Sequence, residues 1–346
     1  MRKTLSAVAG LISIGSVCAV ATGGQGVAQG CFALVEKVAF TTTRDDPTFV
    51  PVQNAAEAYL MNPDGSEPQR ITENQVGDSF PVLSPDGKKI VFDSNRLRTE
   101  SESINTSDLF VMASDGTEQT FLMRGSSASW APDSKLLTYH ASASGTGLPI
   151  RMDPGAPPTD SDIFILNVDD AATGQQAPSN ITNSETLIED DPDWSPDGQK
   201  IVYTAHDVND DPVMSTTAEI FVMNANGPVR LTFNIQEERA PAWSPDGSKI
   251  AFMCRYGGID FEICVMNPDG SGLVQVTNNT VQELSIRWSR DGQKFFFNRP
   301  VSGRNQLFSI NVDGTGLTQL TNTIGLNLFP APGWLRVKTA CTSSAF

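Results

Sequence analysis

Short apolar runs recur along the chain, and turns rich in Asp and Gly separate them. One copy reads Trp-Ser-Pro-Asp-Gly-Ser-Lys-Ile-Ala-Phe at 243–252, then Glu-Ile-Cys-Val-Met-Asn-Pro-Asp-Gly at 262–270, then Val-Thr at 276–277. Asp-Gly turns are strong hairpin signals, because both residues accept a positive φ at little cost. The unit occurs six times at a spacing of 40 to 65 residues. This pattern predicts a ring of β-sheets in which each repeat is one blade.

The repeats align residue by residue. A Lys opens the second strand of each blade: Lys37, Lys89, Lys135, Lys200, Lys249 and Lys294. An aromatic residue follows three positions later: Phe40, Phe92, Tyr139, Tyr203, Phe252 and Phe297. An acid or amide opens the next strand: Glu57, Asp108, Asp162, Glu219, Glu262 and Gln306. Because this aromatic column and the Trp residues that precede the turns recur at repeat spacing, both sets are interpreted as core residues.

The turns before these strands carry a family resemblance. Ser-Pro-Asp-Gly stands at 84–87, 195–198 and 244–247, Ala-Pro-Asp-Ser at 131–134 and Ser-Arg-Asp-Gly at 289–292. With the preceding Trp residues, this pattern resembles the β-propeller repeats of the TolB family, which are WD40-like, over roughly residues 33–338. The resemblance implies a protein-interaction module of the cell envelope, since family members receive the peptidoglycan-associated lipoprotein at the propeller. The separate N-terminal domain of TolB proper is not expected here.

The predicted fold is all-β: a six-bladed β-propeller over residues 33–338, closed by the N- and C-terminal strands. Residues 36–42 match a second blade strand that has no first strand before it. Residues 329–338 match a first strand that has no blade after it. Pairing the two would complete the sixth sheet and remove two exposed edges. Residues 339–346 are then a C-terminal tail.

Residues 1–30 look like a signal peptide with a short linker. Arg2 and Lys3 precede an apolar stretch over 5–21, and Ala-Val-Ala at 19–21 fits a cleavage site. The alternatives are a membrane anchor, for which the apolar run is slightly short, and a lipoprotein acylated at Cys31. Cleavage predicts a periplasmic or secreted protein with no remaining membrane span.

The chain is acidic, with a formal net charge of −16. Loss of Arg2 and Lys3 would make it −18. Such a charge disfavours nucleic acid and favours a protein partner with a basic segment, although it could also serve only solubility. A monomer is expected.

Propeller topology predicts that the long connections share one face: 43–56, 95–107, 141–161 and 206–218. Because loops on a rigid scaffold commonly carry function, this face is interpreted as the functional one. An acidic column lies near the channel mouth on that face: Asp78, Glu189, Glu238 and Glu283. These carboxylates could hold a cation or a partner's Lys or Arg, or could cap turns. Acidic loop residues add to this face: Asp45, Asp46, Asp207, Asp210 and Asp211. The sequence indicates no cofactor other than calcium, because residues 207–211 faintly resemble a calcium-binding loop.

Catalytic signals are sparse. The sequence has no Gly-x-Ser-x-Gly motif, and its two histidines, His140 and His206, cannot form a three-His metal site. The favoured interpretation is therefore non-catalytic. The alternative is a propeller hydrolase or lyase that acts on a saccharide or peptide at the channel mouth.

The cysteines predict one disulfide at the closure of the ring. Cys31 and Cys341 flank the point where the closing blade lacks the tight turn of the other repeats. In an oxidising compartment a bridge there would restore a covalent link; otherwise both thiols stay free. Cys254 and Cys264 are expected on opposite faces of a sheet and are not expected to pair.

Overall fold

Short strands joined by turns make up nearly all of the part of the chain that the structure describes. The structure is a computed structural model that describes residues 31–45, 56–74, 76–97, 107–142, 161–175, 177–207, 218–234, 236–256 and 259–339. In this part of the chain, the helical structure never reaches the length and apolarity that a membrane crossing requires.

The strands are numbered along the chain. The first twelve are β1 (Cys31–Thr42), β2 (Glu57–Met61), β3 (Gln69–Arg70), β4 (Asp78–Leu83), β5 (Lys89–Ser94), β6 (Asp108–Ala113), β7 (Thr120–Arg124), β8 (Ser126–Trp130), β9 (Leu136–Ala141), β10 (Asp162–Asn167), β11 (Ser179–Asn180) and β12 (Leu187–Trp194), with helix α1 (Val168–Thr173) between β10 and β11. The last twelve are β13 (Ile201–Asp207), β14 (Glu219–Asn224), β15 (Gly227–Arg230), β16 (Glu238–Trp243), β17 (Ile250–Cys254), β18 (Glu262–Met266), β19 (Val274–Gln275), β20 (Leu284–Trp288), β21 (Lys294–Val301), β22 (Arg304–Asn311), β23 (Thr318–Gln319) and β24 (Asn327–Thr339).

The described strands form six antiparallel sheets of four strands each. Five sheets take four consecutive strands, from β4–β7 to β20–β23, and the sixth has the order β24-β1-β2-β3. The ring is thus closed by strands from both ends of the described chain, and the predicted six-bladed propeller is confirmed. Along each blade the first strand lies at the channel and the fourth at the rim.

Five of the six blades pack through a cross-strand pair of aromatic side chains. The aromatic of the second strand faces a residue of the third strand in register: Phe40 with Tyr59, Phe92 with Phe110, Tyr139 with Phe164, Tyr203 with Phe221, and Phe297 with Phe308. The ring centroids of these pairs lie 5.7–6.0 Å apart, which is a favourable distance for aromatic pairs. Apolar clusters then bridge neighbouring blades, as where Val202 of one blade packs with Trp243 and Phe252 of the next.

The β16–β19 blade departs from this pairing and corrects one expectation. Its aromatic, Phe252, faces Cys264, and Cys264 forms a disulfide with Cys254 across a Cα–Cα distance of 5.9 Å. The prediction that these cysteines point to opposite faces was wrong. Residues paired directly across two antiparallel strands share a face, and Cys254 lies two residues from Phe252 on that same face. The disulfide therefore occupies the place that an aromatic pair holds in the other blades.

The closing pair of strands is longer than any other pair. β1 and β24 run in register from Thr42 opposite Asn327 to Cys31 opposite Thr339, with one irregularity near Ala39. Cys31 is buried and disulfide-bonded. Cys341 lies outside the described residues, so the Cys31–Cys341 pairing stays a prediction.

Candidate functional site

The innermost strands share a bulge that shapes the central channel. In each of them one non-glycine residue has a φ of 49–57°, and the pairing register shifts at that point. These residues are Phe80, Ser127, Asp191, Ala240, Ser285 and Phe329. A positive φ is unusual for residues with a side chain, and bulges commonly redirect side chains next to functional sites.

Side chains from the neighbouring blade hold five of these bulges. Each bulge N–H donates to a polar atom of the second strand in the preceding blade, at 3.1–3.4 Å. The acceptors are Thr41, Asp93, His140, Thr204 and Asn298, each directly after an aromatic of these pairs. The channel wall is thus fixed blade against blade.

The two ends of the channel differ. We call the loop face the end where the second strand connects to the third, and the turn face the end that carries the Ser-Pro-Asp-Gly turns. A cavity of about 310 Å³, the loop-face chamber, lies at the bulge level. A second cavity of about 420 Å³, the turn-face chamber, lies between the bulges and the turns. Val82, Ala128, Arg287 and Ala331 line both, so the two chambers form one channel.

The loop-face chamber is apolar on one side and charged on the other. Phe80 and Phe329, from adjacent blades, stack with ring centroids 3.7 Å apart. Asp190, Asp191 and Arg239 also line the chamber, and Arg239 lies 3.9 Å from the Asp190 carboxylate. An aromatic shelf beside a charged cluster is the kind of surface that anchors a polypeptide segment.

The Arg239 guanidinium forms ion pairs on its own side of this chamber. Its guanidinium also pairs with Glu237, which a second cation, Arg255, contacts at 2.7 Å. Asp191 contributes further negative charge near Arg239. These pairs hold Arg239 in place, and Arg287 brings a second guanidinium to the lining of the chamber.

The turn-face chamber concentrates tryptophan and proline. All five Trp residues of the sequence line it: Trp130, Trp194, Trp243, Trp288 and Trp334. The Trp column, interpreted from the sequence as core, is therefore also channel wall. Asp193 lies here, and its carboxylate accepts from Ser129 Oγ at 2.7 Å and from the backbone N–H of Trp243 at 2.9 Å. Burial raises the pKa of Asp193, and Arg287 opposes that effect.

The predicted acidic column lies at the loop-face start of the inner strands. Asp78, Glu189, Glu238 and Glu283 are all at most 2% exposed. An Asn four residues earlier donates to three of them at 2.6–2.9 Å: Asn74 to Asp78, Asn234 to Glu238, and Asn279 to Glu283. Three also have a cationic or phenolic neighbour: Arg96 at Asp78, Tyr256 at Glu238 and Arg299 at Glu283.

Three members of this column also face an acid of the preceding blade. Glu189 lies beside Asp162, Glu238 beside Glu219, and Glu283 beside Glu262. Burial and then Asp162 raise the pKa of Glu189 to about 8, and burial and then Glu262 raise that of Glu283. The column thus packs between blades, while its role in binding a partner or cation stays a prediction.

The other predicted residues lie apart. Asp45 accepts a hydrogen bond from Tyr59 and pairs with Arg70 at 3.5 Å, and Asp207 ends β13. Asp46, Asp210 and Asp211 lie outside the described residues, as does most of the proposed calcium loop. Within the described ranges, no three His, Cys, Asp or Glu side chains group as metal ligands.

The two histidines occupy different places. His140 lines the loop-face chamber, and its Nδ1 accepts the Asp191 N–H at 3.4 Å. His206 is buried in β13, opposite Ile188.

Sequence reasoning missed the residues that give the channel its chemistry. Phe80, Phe329 and Arg287 carry no motif, because only the bulges decide where they point. Arg290 did leave a signal, since it replaces the Pro of the Ser-Pro-Asp-Gly turn.

A family of known proteins matches nearly half of the chain. Residues 166–332 match the TolB beta propeller domain. No curated protein matches the sequence.

Solved structures share the fold at low identity. TolB from Acinetobacter baumannii is 18% identical with a TM-score of 0.66, over 86% of this chain and 66% of that one. A putative TolB from Agrobacterium tumefaciens is 16% identical with a TM-score of 0.57, over 89% of this chain and 99% of that one. Hydrazine synthase from Kuenenia stuttgartiensis is 14% identical with a TM-score of 0.63, over 87% of this chain but 47% of that one. This chain thus spans just under two thirds of the Acinetobacter protein, and these likenesses concern the fold alone.

Proposed function

We propose that this chain, of which residues 166–332 match the TolB beta propeller domain, is a non-catalytic protein-interaction module of the cell envelope. It receives a basic segment of a partner protein at the loop-face chamber.

The stacked pair of Phe80 and Phe329 in one chamber with Asp190 and Asp191 is the observation that carries this proposal. Interface energy concentrates in buried aromatic anchors and desolvated charges, and both occur here in one concave site. The bulges that present these side chains are held by hydrogen bonds from neighbouring blades, so the site is formed before a partner arrives. A preformed site loses less conformational entropy on binding.

Charge defines the class of partner. The sequence carries a net charge of −16, and Asp190 and Asp191 line the chamber together with Arg239 and Arg287. A Lys- or Arg-containing segment would be attracted at long range and would pair at short range. Binding should therefore weaken as salt rises.

The cysteine chemistry supports an extracytoplasmic location, either periplasmic or secreted. Cys254 and Cys264 form a fully buried disulfide, and disulfides persist in oxidising compartments. The signal-peptide pattern at residues 1–30 agrees with that location.

A capture experiment with matched variants tests the proposal. The propeller is immobilised, exposed to envelope extract, and the captured protein is identified and titrated directly. We expect Phe329→Ala, or Asp190→Asn with Asp191→Asn, to weaken binding at least tenfold. Phe121→Ala removes a half-exposed aromatic of the outer strand β7 and should bind like the unsubstituted protein.

Two results would contradict the proposal. One is equal capture by the Phe329→Ala and Phe121→Ala proteins. The other is binding that does not respond to salt or to the loss of both carboxylates. Turnover of an envelope saccharide or peptide by the propeller would instead favour the hydrolase or lyase alternative.

A further inference from the structure

Arg290 lies where the turn-face chamber meets a third cavity. That cavity, the valine groove, has a volume of about 590 Å³ and runs between the β16–β19 and β20–β23 blades. Val265, Val274, Val276 and Val312 line it, and Arg290 and Trp288 line both the groove and the chamber. The groove is on the turn face, away from the site proposed above, and its argument does not depend on that site.

The cation at this junction is a departure from the repeat. The equivalent turn positions hold Pro85, Pro132, Pro196 and Pro245. Turn geometry therefore favours Pro here, because Pro presets the φ of the turn. An Arg in its place needs another reason.

The Arg290 guanidinium is incompletely paired. Burial lowers its pKa, which means that its surroundings favour the charged form less than water does. Its Nε is buried and has no acceptor in the described part of the chain. A buried charge that is not fully hydrogen-bonded costs free energy, so an incoming acceptor would be favoured.

The acids near Arg290 accept hydrogen bonds from groups other than its guanidinium. Glu36 accepts the Arg290 backbone N–H at 3.0 Å, and the Asp193 oxygens accept from Ser129 and Trp243. The turn carboxylates Asp246 and Asp291 accept from Ser and backbone groups of their own turns. They still make the area unfavourable for a multiply charged anion such as a phosphate ester.

We propose that this junction binds an aliphatic monocarboxylate, with the carboxylate at Arg290 and the alkyl chain along the four valines. A guanidinium matches the planar carboxylate, with which it forms charge-assisted hydrogen bonds. An alkyl chain gains free energy with each CH₂ that the valines remove from water. The carboxylate is either that of a free acid or that of a polypeptide C-terminus with an apolar last residue.

Calorimetric titration of the full chain tests both halves of the ligand. Octanoate supplies head and tail, octanol supplies the tail alone, and propionate supplies the head with little tail. We expect octanoate to bind at least tenfold more tightly than either of the others. A pentapeptide ending in Val and its C-terminal amide separate the two sources: tighter binding of the free-acid peptide than of octanoate assigns the site to chain ends, and the reverse assigns it to free acids.

Variants connect the binding to the named side chains. Arg290→Gln should weaken octanoate binding at least tenfold and leave octanol unchanged. Val274→Ser, at a position that is 58% exposed, should weaken octanoate binding severalfold but leave propionate binding unchanged. Arg304→Gln, on the loop-face hairpin between β21 and β22, is the matched control and should bind octanoate normally.

Three results would overturn the proposal. They are no measurable heat with octanoate or with the free-acid peptide, equal binding of octanol and octanoate, and unchanged affinity in the Val274→Ser protein. Because Val274→Ser leaves the turn intact, the test remains decisive even if Arg290→Gln does not fold.

Discussion

Glu189 shows how one buried carboxyl can control stability near neutral pH. It lies beside Asp162 at a blade junction, and burial followed by that neighbour raises its pKa to about 8, against 4.5 for an unperturbed Glu. A raised pKa means that the folded protein holds a proton that the unfolded chain releases. The stabilisation is complete below about pH 4.5 and is lost as the pH rises through about 8.

We therefore expect the free energy of unfolding to fall between about pH 5 and 8, by at most about 1.4 kcal/mol per pH unit for this one proton. Glu189→Gln mimics the protonated carboxyl and should flatten that slope in urea unfolding at several pH values. Glu185→Gln, at an exposed position, is the control. An unchanged slope in Glu189→Gln would contradict the assignment, and loss of partner binding in the same variant would support the binding role predicted for this column.

At the scale of the strand, the bulges are the elements that turn a sheet edge into a channel wall. Ala240 holds a φ of 50°, and its N–H donates to Thr204 Oγ1 at 3.2 Å in the preceding blade. A single hydroxyl thus satisfies a buried donor and connects two sheets.

Thr204→Val keeps the shape of this side chain but removes the acceptor. We expect it to cost about 1–3 kcal/mol, the penalty of a buried donor left unpaired, while Thr204→Ser should cost less because it keeps the hydroxyl. Denaturant unfolding of both variants measures the difference. Equal stability of the two would show that the bulge does not need this bond.

The disulfide of the β16–β19 blade is a second strand-level feature. Cys254→Ser with Cys264→Ser should lower the free energy of unfolding by about 2–3 kcal/mol, since the bridge closes a short loop. Two other blades carry Ala and Phe at the matching positions, namely Ala141 with Phe164 and Ala205 with Phe221. Cys254→Ala with Cys264→Phe copies them, and should recover part of that loss by restoring the aromatic pair. No recovery would mean that this blade cannot accommodate the aromatic pair.

At the scale of the whole molecule, closure depends on one pair of strands. β1 and β24 come from opposite ends of the described chain and join the ring by main-chain hydrogen bonds. Cys31 lies opposite Thr339 at the far end of this pair. Thr339 precedes Cys341 by two residues in the sequence. That register supports the predicted Cys31–Cys341 bridge.

We expect non-reducing mass spectrometry to recover a Cys31–Cys341 peptide, and Cys341→Ser to lower the free energy of unfolding by about 2–4 kcal/mol. Cys18 is the remaining cysteine of the sequence. A Cys18–Cys31 peptide, or a free Cys31 thiol, would refute the bridge.

The sequence by itself determined the architecture of this protein. Asp-Gly turns act locally, the repeat spacing exceeds that of a coiled coil or a small solenoid, and the unmatched half-blades at 36–42 and 329–338 require each other. None of these three signals depends on knowing a contact between distant residues. The blade number and the closure could therefore be predicted.

Only the tertiary structure decided which side chains meet. The face on which Cys264 lies depends on its register against Phe252, and sequence spacing alone did not give that register. The six bulges occur at residues as different as Phe80, Asp191 and Ala240, so the residue type does not predict a bulge. Five of them are held by side chains of the preceding blade, and the bulges set which residues line the channel. The chemistry of the channel therefore follows from contacts between blades, whereas the ring itself follows from signals within each blade.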